Sequence, residues 1–236
     1  MSINKQSNLY TTIYIIVLVL IVGSALALTS LSLRDRQQAN INADKMRQIL
    51  ASVHIAPDKD NTISDFNKYV TRSFIVNSDG VEIPGDAFTV NVSEEAKLPE
   101  AKRQLPVYEC KLEDGSIKYI LPMYGAGLWG PIWGYVAFDS NGTTIYGAYF
   151  AHQGETPGLG AEIEKPAFSD QFKGKSVMPH GEFLPIEVVK KGQKPAGEED
   201  YVDGISGGTI TSKGVGAMFA NCITPYKTFL SNLSNQ

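Results

Sequence analysis

The sequence predicts an α+β fold, an antiparallel sheet flanked by helices, behind one N-terminal transmembrane helix. Three observations carry this expectation. No charged residue lies between Lys5 and Arg34. Three pairs of β-prone segments are joined through Asp-Gly or Asn-Gly, the strongest short-range hairpin signal. Helical stretches precede and follow these strand runs, an order that favours a segregated α+β arrangement over alternating βαβ units.

The first element is the apolar run of residues 9–28, whose length matches the roughly 20 residues that cross a hydrocarbon core as a helix. Tyr10 and Tyr14 suit the interfacial aromatic position near one end. Apolar side chains surround the whole helix, which argues against a buried globular helix with one apolar face. A cleaved signal peptide is the alternative, since Ala25-Leu26-Ala27 resembles a cleavage site, but the run is longer than a usual signal core. The expected division is an anchor over residues 1–35 and an extracytoplasmic domain over residues 36–236. Lys5 and the terminal amine nearly balance Arg34 and Arg36 less Asp35, so loop charge does not orient the span. The short N-terminal stub and long C-terminal domain favour N-in, C-out in a bacterial inner membrane, with the domain on the periplasmic side.

Residues 41–50 carry apolar positions at helical spacing and extend the membrane helix as an amphipathic stalk. Asp60-Asn61 breaks that pattern, and residues 63–70 read as a second short helix. Hairpins follow: residues 74–77 meet 81–83 through Ser78-Asp79-Gly80, 108–112 meet 117–121 through Glu113-Asp114-Gly115, and 133–138 meet 144–150 through Ser140-Asn141-Gly142. A helix is expected over 168–172, a strand over 183–189, and a solvated loop over 190–200, which is rich in Lys, Gly, Pro and Glu. The last helix begins near Ser212 and runs toward Leu233, kinked or divided by Pro225.

Several function classes drop out. The net charge is -4, with 21 basic against 25 acidic residues and no basic cluster, so no nucleic-acid partner is expected. Cys110 and Cys222 lack CxxC or metal spacing, and His54, His152 and His180 are scattered, so neither a disulfide framework nor a metal site is expected. No GxGxxG unit follows a strand, which disfavours a dinucleotide fold.

The stretch that carries chemistry is residues 202–215. Gly207 and Gly208 permit unusual backbone angles and close approach by a ligand. A helix follows at once, so its unpaired N–H groups and positive dipole end face whatever sits on Thr209, with Lys213 close enough to add charge to a phosphate site. The plain alternative is a glycine turn leading into a helix capped by Thr211 or Ser212.

Asp203-Gly204-Ile205-Ser206-Gly207-Gly208-Thr209 resembles the motif read by bacterial flavin transferases, Asp-x-x-Ser/Thr-Gly-Ala-Thr/Ser, with Gly208 standing where alanine is usual. The resemblance implies that Thr209 receives FMN through a phosphoester. His152-Gln-Gly-Glu-Thr-Pro-Gly-Leu-Gly160 is similar to a segment of the FMN-bearing subunits of two ion pumps, the Na⁺-translocating NADH:quinone reductase and the Rnf-type ferredoxin:NAD reductase. Gly125-Ala126-Gly127-Leu128-Trp129 resembles the segment of the quinone-reductase subunit more than its Rnf counterpart. With the anchor, the resemblance spans nearly the whole chain.

It implies a covalently flavinylated electron-transfer subunit that relays electrons from NADH on another subunit toward quinone, coupled to sodium export. Its partners would be the other subunits, the membrane and a flavin transferase. An Rnf-type FMN subunit and a flavin-free anchored scaffold are the rival readings. The expected cofactor-binding residues are Thr209, Ser206, Gly207, Gly208 and Lys213 around the phosphate. Glu155, Thr156, Leu159 and Gly160 are expected from the proline-glycine turn, and Leu128 and Trp129 as a further wall of the ring site. A buried Trp129 in the sheet core is the competing expectation. Glu155 is read either as a flavin acceptor or as a carboxylate that fixes its own loop.

Overall fold

The structure is a computed structural model that describes residues 8–235, so Lys5, one of the charges weighed for orientation, lies outside the described residues. The chain divides into two compact units between Lys45 and Met46.

The first unit is formed by most of helix α1 (Asn8–Ala51). Among the described residues α1 is the one helix long and apolar enough to cross a membrane. Its isoleucine, leucine and valine side chains are exposed along the span. The hydroxyls within it turn inward. Thr12 donates to Asn8 O, Thr29 to Ala25 O and Ser32 to Thr29 O, so these three hydroxyls are satisfied by the helix itself, an arrangement compatible with an apolar surrounding.

The second unit starts with the last turns of α1, where Ile49 and Leu50 are fully buried. Helix α2 (Thr62–Tyr69) runs directly into strand β1 (Val70–Val76). There follow β2 (Glu82–Ile83), helix α3 (Val92–Glu95), β3 (Leu105–Lys111), β4 (Ile117–Ala126), β5 (Pro131–Asp139) and β6 (Ile145–His152). The strands form one antiparallel sheet in the order β2-β1-β3-β4-β5-β6. All three expected hairpins are present, and Gly80, Gly115 and Gly142 take positive φ at their turns. A fourth hairpin, β4 to β5, closes at Ala126↔Pro131 across Gly127-Leu128-Trp129-Gly130, a turn with no Asn-Gly signal.

Period-two alternation buries both faces of the sheet. Phe74, Val76, Leu121, Met123, Val136 and Phe138 enter one core, while Ile75, Ile120, Tyr135 and Ala137 enter another with Ile49, Leu50 and Phe66. The first core is roofed by helix α4 (Pro166–Ser169), the strands β7 (Glu187–Val189) and β8 (Tyr201–Asp203), and helices α5 (Thr209–Ile223) and α6 (Lys227–Ser234).

Two expectations change. The strand read over 183–189 is confined to Glu187–Val189, because its partner β8 has only three residues to pair with it, in parallel. Within the loop read up to residue 200, Glu187 N already bonds Asp200 O, which sets that pairing. The last helix begins at Thr209 rather than near Ser212, since Gly208 takes the capping position and its carbonyl accepts from Ser212 N at 2.9 Å. Pro225 divides α5 from α6 within a 3-10 turn, Thr224–Tyr226.

Helix α5 lies unusually close to β4. A Cβ on Gly214 would overlap Ala126 O, and one on Gly125 would lie 2.7 Å from Met218 Cβ. A glycine inside a helix weakens it by about 1 kcal/mol relative to alanine. Here the missing side chain lets the helix settle on the strand, which fixes where its first residue stands.

Candidate functional site

The segment from Asp203 to Thr209 is held by its own chain. Asp203 N donates to Gln171 Oε1 at 2.8 Å, and Gln171 Nε2 donates back to Asp203 O at 3.2 Å. Gly204 N donates to Val189 O, and Ile205 N donates to Ser212 Oγ. Gly207 has φ +80, a backbone conformation that favours glycine, and its open side faces Leu159 Cδ2. Thr209 is exposed as the first residue of α5, and Thr211 and Ser212, read as possible caps, are buried in its first turn. The helical ladder opens with Ser212 N, so the amides of Thr209, Ile210 and Thr211 precede it at the positive end of the helix.

Thr209 lines two cavities. One, of about 350 Å³, is also lined by Ser206, Ser212, Lys190, Lys191 and Lys213. The other, of about 240 Å³, includes Leu128, Trp129, Thr156, Leu159 and Ile210. Trp129 is 69% exposed, Ile210 58%, Leu128 49% and Leu159 42%, an apolar rim concentrated around one hydroxyl. Trp129 is therefore a turn residue at the surface and not a core residue.

The loop carrying Leu159 follows the expected turn. Leu159 N donates to Thr156 O at 3.1 Å, Pro157 occupies the second position, and Gly158 has φ +75 at the third, the pattern of a type II turn. Glu155, only 5% exposed, ties this loop to both neighbours. Its Oε1 accepts Trp129 N–H at 2.8 Å, and its Oε2 accepts the Thr211 hydroxyl at 2.6 Å. Its own N–H donates to His152 Nδ1 at 3.1 Å. A Cβ at Gly127 or Gly160 would overlap the carboxylate, so both glycines make room for it. Burial pushes the Glu155 carboxyl up, but the bonds from Thr211, Trp129 and Leu128, with His152 nearby, outweigh burial and hold it below its ordinary value. Glu155 thus makes the contacts of the loop-fixing reading, and it also lines the cavity beside Thr209.

Nine of the eleven expected site residues line the smaller cavity, and the other two, Ser206 and Lys213, line the larger. Lys190, Lys191, Ile205 and Ile210 join them unannounced. The two lysines open a segment that composition marks as a solvated loop. Ile205 and Ile210 sit in or beside the motif at positions where any residue is allowed.

Comparison with known proteins gives one consistent result. The chain is 33% identical over 232 residues to the NqrC subunit of the Na(+)-translocating NADH-quinone reductase of Vibrio anguillarum, covering 91% of this chain and 90% of that protein. The chain belongs to the NqrC family. The counterpart from Vibrio alginolyticus is 34% identical over 231 residues, at 91% and 90% coverage. The crystal structure of the NqrC subunit from Parabacteroides distasonis superposes with a TM-score of 0.79 at 49% identity, covering 84% of this chain and 97% of that one. That of Shewanella oneidensis NqrC superposes with a TM-score of 0.69 at 27% identity, covering 84% and 100%. Residues 127–224 match the FMN-binding domain family, a span that begins at the β4–β5 turn and ends at the close of α5. The α+β fold with its antiparallel sheet is thus the NqrC fold.

Proposed function

We propose that this chain is the FMN-carrying NqrC subunit of a Na⁺-translocating NADH:quinone reductase, with FMN esterified through its phosphate to Thr209. One observation carries the attachment site: Thr209 presents an exposed hydroxyl at the first position of α5, between a cavity with three lysines and a cavity with an apolar rim. Esterified to Thr209, the FMN phosphate is a singly charged diester joined to a large flat ring, and the two cavities suit its two ends. Lys213, with Lys190 and Lys191, would offset the phosphate charge together with the amides at the start of α5. Ser206, Gly207 and Gly208 shape the turn. Leu128, Trp129 and Leu159 would give the ring an apolar wall, with Thr156 and Gly160 at its edge and Glu155 behind it. When bound, FMN supplies the electron-carrying chemistry, and the protein supplies its position and electrostatic surroundings.

As part of that enzyme the chain would relay electrons from NADH on another subunit toward quinone, coupled to sodium export. Residues 1–35 would anchor it in the bacterial inner membrane, with residues 36–236 on the periplasmic side. Its partners would be the other subunits and a flavin transferase that loads Thr209.

The test is a denaturing gel of full-length protein coexpressed with a flavin transferase. Fluorescence should travel with the polypeptide and vanish in Thr209→Ala. An exposed helix-start threonine contributes within about 0.5 kcal/mol to stability, so the variant's melting temperature should stay near wild type. Covalent flavin persisting in Thr209→Ala would move the attachment elsewhere.

A further inference from the structure

Among the described residues Glu155 has an unusual balance of partners. It is nearly buried, yet no lysine or arginine is paired with it. It is held by neutral donors, the Leu128 and Trp129 amides and the Thr211 hydroxyl. Dipoles of this kind stabilise an anion without cancelling its charge, and in a poorly hydrated site its field reaches neighbouring groups that bulk water would otherwise shield. The chain keeps Gly127 and Gly160 free of side chains around this carboxylate. A neutral glutamine would fill the same space with the same reach. The charge itself is the feature that loop-fixing leaves unexplained.

We infer that Glu155 is a positioning residue whose fixed negative charge, set between the turn bearing Leu128 and Trp129 and the helix bearing Thr209, restrains how readily the bound flavin accepts electrons. The inference rests on the reading of Thr209 as the flavin attachment point, because Glu155 and Thr209 line one cavity of about 240 Å³. A ring against the apolar rim of that cavity gains negative charge on reduction, and a buried carboxylate beside it opposes that gain. The same side chain holds the rim in place through Trp129 N–H and Thr211, so geometry and potential depend on one residue.

The experiment uses the full-length flavinylated chain in detergent, with flavin loading read on a denaturing gel and the midpoint potential read by spectroelectrochemical titration. Glu155→Gln removes the charge and keeps the shape. It should shift the reduction equilibrium toward reduced flavin by about tenfold, roughly 30 mV for a two-electron couple. Thr211→Val keeps the charge but strips one donor from it, and should shift the equilibrium about threefold the other way. Opposite signs mark an electrostatic effect, whereas a packing defect would move both variants alike. Loaded variants with the wild-type potential, or with shifts of the same sign, overturn the inference. If Glu155→Gln does not fold, Thr211→Val decides alone: a lowered potential supports the inference, and an unchanged or raised one overturns it. Wild-type protein that carries no covalent flavin would instead refute the attachment at Thr209.

Discussion

Glu155 also leaves a signature in the stability of the domain. Its carboxyl titrates below the ordinary value of 4.5, because the donors from Thr211, Trp129 and Leu128 outweigh the effect of burial. As pH falls, the unfolded chain therefore takes up this proton before the folded chain does. The contribution is complete above the unfolded value and is lost as pH drops through the folded one. Thermal melts between about pH 6 and about pH 3 should fall more steeply for wild type than for Glu155→Gln. Parallel curves would mean that the carboxylate contributes nothing to acid stability. Thr209, Gly207 and Glu155 were named in the sequence through the resemblance of their two motifs to a known family, and the fold brings those motifs to one cavity. Lys190 and Lys191 were not, because they reach the site through the pairing of two three-residue strands, too short for any periodicity to reveal.

The elements most easily read were those with local signals. Each Asp-Gly or Asn-Gly hairpin formed where expected, while the β4–β5 turn went unread because Gly127 and Gly130 flank a leucine and a tryptophan. The start of α5 was misplaced by three residues because Thr211 and Ser212 look like caps, yet their hydroxyls serve Glu155 and Ile205 instead. The far end of α5 is fastened by a contact of high sequence separation. Arg103, only 7% exposed, donates to Asn221 O at 2.6 Å and Asn221 Oδ1 at 3.0 Å, and to Leu98 O and Ala96 O. Its charge faces carbonyls in the last turn of α5, where the helix dipole is negative. Arg103→Met fills the volume and removes four hydrogen bonds, only Ala96 O keeping a second donor in Asn221 Nδ2, and should lower unfolding free energy by about 3 kcal/mol in urea titrations. A loss under about 1 kcal/mol would show that water replaces the guanidinium at little expense.

For the molecule as a whole, the fold class and the long apolar helix followed from charge-free length and strand order, but the burial of both sheet faces did not. Alternation along β1, β4 and β5 says that two faces differ; it does not say that each finds a cover. The second cover includes Ile49 and Leu50, at the end of the helix whose earlier part is the apolar span. A chain beginning at Met46 should fold as a soluble domain. One beginning at Val53 lacks both fully buried side chains and should lose at least about 4 kcal/mol, since each buried leucine or isoleucine removed costs about 2–5 kcal/mol. Equal urea midpoints for the two truncations would show that this cover is dispensable. The bonds that shape residues 203–208, from Gln171, Val189 and Ser212, have a different kind of consequence. None of them enlists the hydroxyl of Thr209. If Thr209 is the attachment point proposed above, its turn would be shaped by its own chain, and newly made protein would hold that shape ahead of loading. On the proposed attachment at Thr209, maturation would be a late event, timed by supply of the donor nucleotide and not by the folding of its acceptor.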